Sequence, residues 1–182
     1  VPQPPPPLRS RPDEATTLAD VDAKGGRVWR VGPDEAIRHV SDVARRARDG
    51  DTVEIVAADY HGDVAVWLQR RLIIRGVGGN ARLYADGRSA EGKAIWVFRS
   101  GDFEVSNIDF IGARVDDRNG AGIRFENGHL VVRNCLFWGG ESGLMTSNGA
   151  AARLEIEGSE FGYNGDGEGL SHHVYVGSIG SF

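Results

Sequence analysis

Apolar positions in the second half of the chain recur in a short fixed pattern. LVVRNCLF (Leu130 to Phe137) is echoed by FEVSNIDF (Phe103 to Phe110), by LEIEGSEF (Leu154 to Phe161) and more loosely by LIIRGVGG from Leu72. Each copy has two apolar residues two apart, then Asn or Gly, then a small or aliphatic residue and an aromatic. The columns are Leu72/Phe103/Leu130/Leu154, Ile74/Val105/Val132/Ile156, Gly76/Asn107/Asn134/Gly158, Val77/Ile108/Cys135/Ser159 and Phe110/Phe137/Phe161. Alternation over the first residues predicts a strand with one buried face. Asn and Gly tolerate the left-handed backbone that turns a chain sharply.

A second strand precedes each copy: DVAVW, AIWVF, GIRFE, GLMTS and HVYVG, from Asp63, Ala94, Gly122, Gly143 and His173. Its inward columns read Val64/Ile95/Ile123/Leu144/Val174 and Val66/Val97/Phe125/Thr146/Val176, and its outward column Trp67/Trp96/Arg124/Met145/Tyr175. The units are spaced by 31, 27 and 24 residues (72 to 103, 103 to 130, 130 to 154). A period of this size made of strands alone predicts a solenoid. Antiparallel hairpins would also give strands and turns, but only coils stacked at about 4.8 Å explain like residues in like columns.

The N-terminal part reads differently. Residues 1–27 form a Pro-rich extended segment, and residues 28–182 the solenoid domain. VWRV (Val28 to Val31) predicts a strand. Helical spacing over about 33–49 places Ala36, Ile37, Val40, Val43, Ala44 and Ala47 on one face, with Pro33 at the start and Gly50 at the end. Coils then occupy 52–182, beginning with the alternating TVEIVA from Thr52.

From Val31 to Phe182 the chain resembles right-handed parallel β-helix proteins of the pectate-lyase-like superfamily. The repeated coil columns carry the likeness. So does the predicted helix followed by GDTVEIVAADYHGDV (Gly50 to Val64), which is similar to the capping helix and first coil of such proteins. The resemblance implies an all-β, right-handed parallel β-helix solenoid with an N-terminal capping α-helix. It leaves activity open, because one fold hosts lyases, hydrolases, epimerases and non-enzymatic adhesins. Phe182 falls where Phe103 and Leu130 begin their strands, so the expectation is a solenoid truncated in mid-coil, whose open C-terminal coil self-associates. The opening VPQPPPPLRS, with no Met, predicts a processed export signal and a secreted or periplasmic protein.

Composition narrows the field. The 182 residues carry a net charge of −5 and a pI near 5.5, so no basic footprint points to nucleic acid. No apolar run approaches the ~18 residues of a membrane span. Cys135 is the single cysteine and sits in an interior column, which predicts a buried, inert thiol.

Chemistry is then expected on the outward column and in the loops. Trp67, Trp96 and Tyr175 offer aromatic faces to sugars, and Arg124 a fork for a carboxylate. The loops Arg82–Lys93, Ala113–Ala121, Gly139–Ser142 and Gly162–His173 should form one row that gathers charged and polar side chains. His173 and Tyr175 share one face of an extended segment, with His172 opposite.

A lyase or C-5 epimerase acting on a uronate polysaccharide must neutralise a carboxylate and move the proton beside it. A lyase also protonates the departing oxygen. Arg118 or Arg124, His173 and Tyr175 suit these roles, with Trp67, Trp96, His172, Lys93 and Asn119 binding substrate. Hydrolysis would instead need two carboxylates, for which Asp116 or Asp117 with Asp166 or Glu168 are the options. The same four carboxylates offer hard oxygen ligands to calcium. The alternative to an enzyme is a non-catalytic β-helix that binds glycan or assembles on a surface. Polysaccharide is the expected partner in either case.

Overall fold

The computed structural model describes residues 3–7, 26–165 and 171–182. After β1 (Val28–Val31) and a short helix, α1 (Val40–Ala44), the chain winds through coils of three strands each. The first coil is β2 (Thr52–Val56), β3 (Asp59–His61) and β4 (Ala65–Trp67); the second is β5 (Arg71–Val77), β6 (Ala81–Tyr84) and β7 (Ala94–Phe98). The third is β8 (Gly101–Ser106), β9 (Ile108–Ile111) and β10 (Ala121–Phe125); the fourth is β11 (Gly128–Arg133), β12 (Leu136–Trp138) and β13 (Ser142–Thr146). The fifth is β14 (Gly149–Glu157), β15 (Glu160–Gly162) and β16 (Val174–Tyr175), and β17 (Ile179–Ser181) follows.

Equivalent strands pair in parallel and stack into three sheets. Sheet I runs β1-β2-β5-β8-β11-β14-β17, sheet II β3-β6-β9-β12-β15 and sheet III β4-β7-β10-β13-β16. The molecule is an all-β parallel β-solenoid. The expected two strands per coil are three, because the short stretch around each recurring aromatic is itself a strand.

Register reproduces the predicted sheet I columns: Leu72, Phe103, Leu130 and Leu154 lie in one row and Ile74, Val105, Val132 and Ile156 in another. The turn from sheet I to sheet II is made at Asn107, Asn134 and Gly158, at φ of 56°, 53° and 55°. Beyond it Phe110 stacks on Phe137 at 5.0 Å, and Phe137 on Phe161 at 4.7 Å, with rings within 10° of parallel. Gly122 and Gly143 make room for this stack, since a Cβ on either would come within 2.7 Å of the Phe137 or Phe161 ring. The residue above Ile108 is Ala81, not Val77, because Gly78, Gly79 and Asn80 lengthen that turn.

The helix is shorter than its periodicity predicts: five residues in place of the span about 33–49. Ahead of it the chain folds back, with the Gly32 N–H on the Ile37 carbonyl and Ile37 bridging Val31, so that Ala36 is exposed. Side chains of the first coil fix both helix ends. The buried Asp63 carboxylate accepts from the N–H groups of Val40 and Ser41, at 2.5 and 3.0 Å. The Gln69 amide donates to the carbonyls of Ala44 and Ala47, at 3.0 and 2.9 Å. The bonds at Val40, Ser41 and Ala44 satisfy helix-end groups that have no partner within the helix, and the one at Ala47 holds the turn that follows. Buried Asp51 ties the same segment down by accepting from the Trp29 indole and from the backbone N–H groups of Arg27 and Arg48.

Candidate functional site

Along sheet III the outward row is Val66, Val97, Arg124, Met145 and Tyr175. Trp67 and Trp96 do not belong to it. Both are fully buried in the interior, where they meet edge to face at 5.4 Å, and neither indole N–H has a partner. The two tryptophans expected to stack sugars are core residues, one position out of the predicted register.

Around Arg124 the outer surface is partly apolar. Ala90, Ala94, Val97, Ala121 and Met145 are buried there as a small cluster outside the sheet, flanked by Val64 and Val66. The loop after β9 closes over one side. It is pinned by the buried Glu141 carboxylate, which accepts from Gly120 N–H at 2.7 Å and Val115 N–H at 3.1 Å. Glu141 is thus committed to holding the backbone.

The Arg124 side chain is half-buried on this shelf. Its Nη2 donates to the Asn119 carbonyl at 3.3 Å, while its Nε is buried with no partner. Burial pushes the guanidinium pKa down, and the negative charge of Glu126 opposes this. Glu126 itself is taken. Arg99 reaches both its oxygens at 2.6 and 2.8 Å, and Lys93 binds it at 2.8 Å. Those partners hold the Glu126 carboxyl below its usual value, although burial pulls the other way. A half-buried cation whose neighbouring carboxylate is bonded to other cations is poorly compensated, and a forked guanidinium is matched by a carboxylate.

Tyr175 is 44% exposed, and its ring lies 5.3 Å from that of His172. His173 turns elsewhere: its ring is 6.5 Å from Phe161, and its Nδ1 is 3.3 Å from the Asn164 amide. The expected pairing of His173 with Tyr175 is therefore reversed. Strand β16 holds only Val174 and Tyr175, and alternation does not extend back through the histidines. Tyr175 is separated from Arg124 by Met145, two strand spacings or about 10 Å along the row.

The remaining candidates are dispersed. Arg118, Asp116 and Asp117 are exposed at the tip of the 114–120 loop, with Arg118 at φ 57°. Asn119 contributes its carbonyl to Arg124, and Lys93 belongs to the Glu126 network. Asp166 and Glu168 lie outside the described residues. Among the described residues no group of three His, Cys, Asp or Glu side chains is disposed to hold a metal ion. Cys135 is buried, as its column predicts.

Two features escaped the sequence reading. An open cleft is lined by His39, Ser41, His61, Asp63, Asp86 and Arg88, with His61 Nδ1 2.7 Å from the Asp86 carboxylate and its ring stacked on Tyr84 at 4.8 Å. The outward aromatics Tyr84 and Trp138 lie on sheet II. Counting one residue past the inward Phe137 would have placed Trp138 outside.

Fold and surface together define a parallel β-solenoid whose outer face on sheet III is partly apolar and carries the half-buried Arg124. Comparison with protein families, with characterised proteins and with solved structures returned no match to this chain.

Proposed function

We propose that the outer face of sheet III binds an acidic polysaccharide without cleaving it. The observation that carries this reading is Arg124, a half-buried guanidinium with an unpartnered Nε and a neighbouring carboxylate already bonded to other cations. A uronate carboxylate would pair with this guanidinium, while the apolar shelf and Tyr175 would receive the face of the sugar ring. In this reading the chain is a right-handed, exported relative of the pectate-lyase-like superfamily, and the coil pattern is what supports that kinship. Binding is favoured over lyase or epimerase chemistry because the groups proposed for proton transfer are spread out. Tyr175 stands about 10 Å from Arg124, and His173 faces Phe161 and Asn164. The pair His172–Tyr175 is what an enzymatic reading would build on.

The test is titration of the full chain with oligogalacturonate, oligomannuronate and a neutral oligosaccharide of equal length, alongside an assay for unsaturated uronate product. Expected are binding of at least one acidic oligomer, none of the neutral one, and no product. A charge-assisted bond contributes about 1.5–3 kcal/mol, so Arg124→Met should weaken binding roughly 10- to 100-fold. Unsaturated product would overturn the non-catalytic reading. Equal binding by Arg124→Met would overturn the site.

A further inference from the structure

Sheet II has an outer face that the glycan reading does not use. Register puts Asp59, Arg82, Asp109, Leu136 and Glu160 in one outward row, and His61, Tyr84, Ile111, Trp138 and Gly162 in the other. Outward residues of a solenoid ordinarily meet water, yet Asp109, Ile111 and Leu136 are each no more than 7% exposed. Part of what lies over them is the chain's own N-terminus. The Gln3 carbonyl accepts a hydrogen bond from the Trp138 indole at 3.1 Å. Pro6 and Pro7 close a small cavity over Asn80, Asp109, Leu136 and Glu160, and Pro5 and Pro6 are half-buried.

The receiving surface is built for this. The Trp138 indole lies across Gly162, where a Cβ would sit 2.3 Å from a ring carbon, so only glycine admits the ring in that place. Tyr163, in the left-handed region at φ 53°, flanks the indole at 4.6 Å. Beneath the prolines, the Asn80 amide donates to Asp109 at 2.6 Å, and the Asn80 carbonyl oxygen is buried without a partner.

The segment has matching chemistry. Pro4 to Pro7 are four consecutive prolines, with φ fixed and no N–H to donate. Such a run favours the polyproline II helix, whose carbonyls point outward as acceptors and whose rings pack on aromatic side chains. An aromatic groove with an indole donor is a recurring solution for binding it, because little ordering entropy is lost.

We propose that the outer face of sheet II is a binding site for polyproline II peptide, occupied in cis by Gln3–Pro7. The ligand class is a proline-rich segment with an accessible carbonyl just before the proline run. A tethered segment is presented at an effective concentration on the order of millimolar, so a trans Kd of roughly 0.1 mM or tighter keeps the site largely filled.

The test compares the full chain with a full-length variant in which Pro4, Pro5, Pro6 and Pro7 are all replaced by Ser. The readout is the Trp138 indole N–H resonance, and thermal unfolding checks that the fold persists. In the variant this resonance should move to the position of a solvated indole. A synthetic peptide PQPPPPLR should restore it saturably, and the same peptide with serines for prolines should not. Adding Trp138→Phe to the variant should weaken peptide binding at least tenfold, read from resonances of neighbouring backbone amides. An unshifted indole in the proline-free variant, or equal binding of both peptides, would overturn the proposal. A wild-type dimer that the proline peptide dissociates would overturn occupancy in cis.

Discussion

Replacing Phe137 by Ala probes the ladder that runs through the molecule. The ring is fully buried, held between Phe110 at 5.0 Å and Phe161 at 4.7 Å, and the space beside it is kept by Gly122. Truncating a buried Phe typically costs about 3–5 kcal/mol, and both flanking stacks are lost at once. Because each coil of a solenoid rests only on its neighbours, the cavity weakens two coil interfaces. For a chain of this length, about 4 kcal/mol corresponds to a fall in Tm of roughly 8–16 °C. Phe161→Ala, at a half-buried position with one phenylalanine neighbour in the stack, should cost about half as much. Thermal unfolding followed by circular dichroism measures both, with urea titration as a check. A loss below about 1 kcal/mol for Phe137→Ala, or a larger loss at Phe161, would refute the reasoning.

Other expectations follow from groups that tie the first coil to the segment before it and from the glycine under Trp138. Burial alone would raise the Asp51 carboxyl pKa, but hydrogen bonds from Trp29, Arg48 and Arg27 bring it below its ordinary value. The stability it contributes is therefore present above the unfolded pKa near 3.9 and is lost as pH falls through the lower folded value. Asp51→Asn should cost about 1–3 kcal/mol at pH 7, a gap that narrows below pH 4, as urea midpoints across pH would record. Asp63→Ala removes both acceptors at the start of α1 and should cost about 1–2 kcal/mol, with early loss of amide protection at Val40 and Ser41. Gly162→Ala drives a methyl into the Trp138 ring and should cost about 1–3 kcal/mol while exposing the Trp138 indole to solvent exchange.

The coil architecture was legible because each sheet I strand alternates. With Phe103 and Val105 inward around Glu104, and Leu154 and Ile156 inward around Glu155, parity is unambiguous, and the Asn or Gly at each bend marks the turn. Sheet III resisted the same method. All five residues of AIWVF are buried, since the strand is covered on both faces, and an unbroken apolar run carries no parity. Trp67 and Trp96 consequently slipped by one residue, and with them the expected aromatic platform. The helix was overextended because periodicity does not register the side chains of Asp63 and Gln69, which set its ends from more than twenty residues away. Arg124 was legible as an outward residue, but its lack of a hydrogen-bonded carboxylate depends on Arg99 and Lys93 reaching Glu126 first. The proline segment read only as an extended tail, because its docking surface is assembled from separate coils.

The account turns on the Arg124 guanidinium having no carboxylate hydrogen-bonded to it among the described residues and taking one from a ligand. Its Nε–H resonance, followed while an acidic oligouronate is titrated into the full chain, tests this directly. The account predicts a saturable shift with slower exchange of that proton, and no change with the neutral oligosaccharide. Saturable binding of the acidic oligomer that leaves the Arg124 signal unmoved would contradict it.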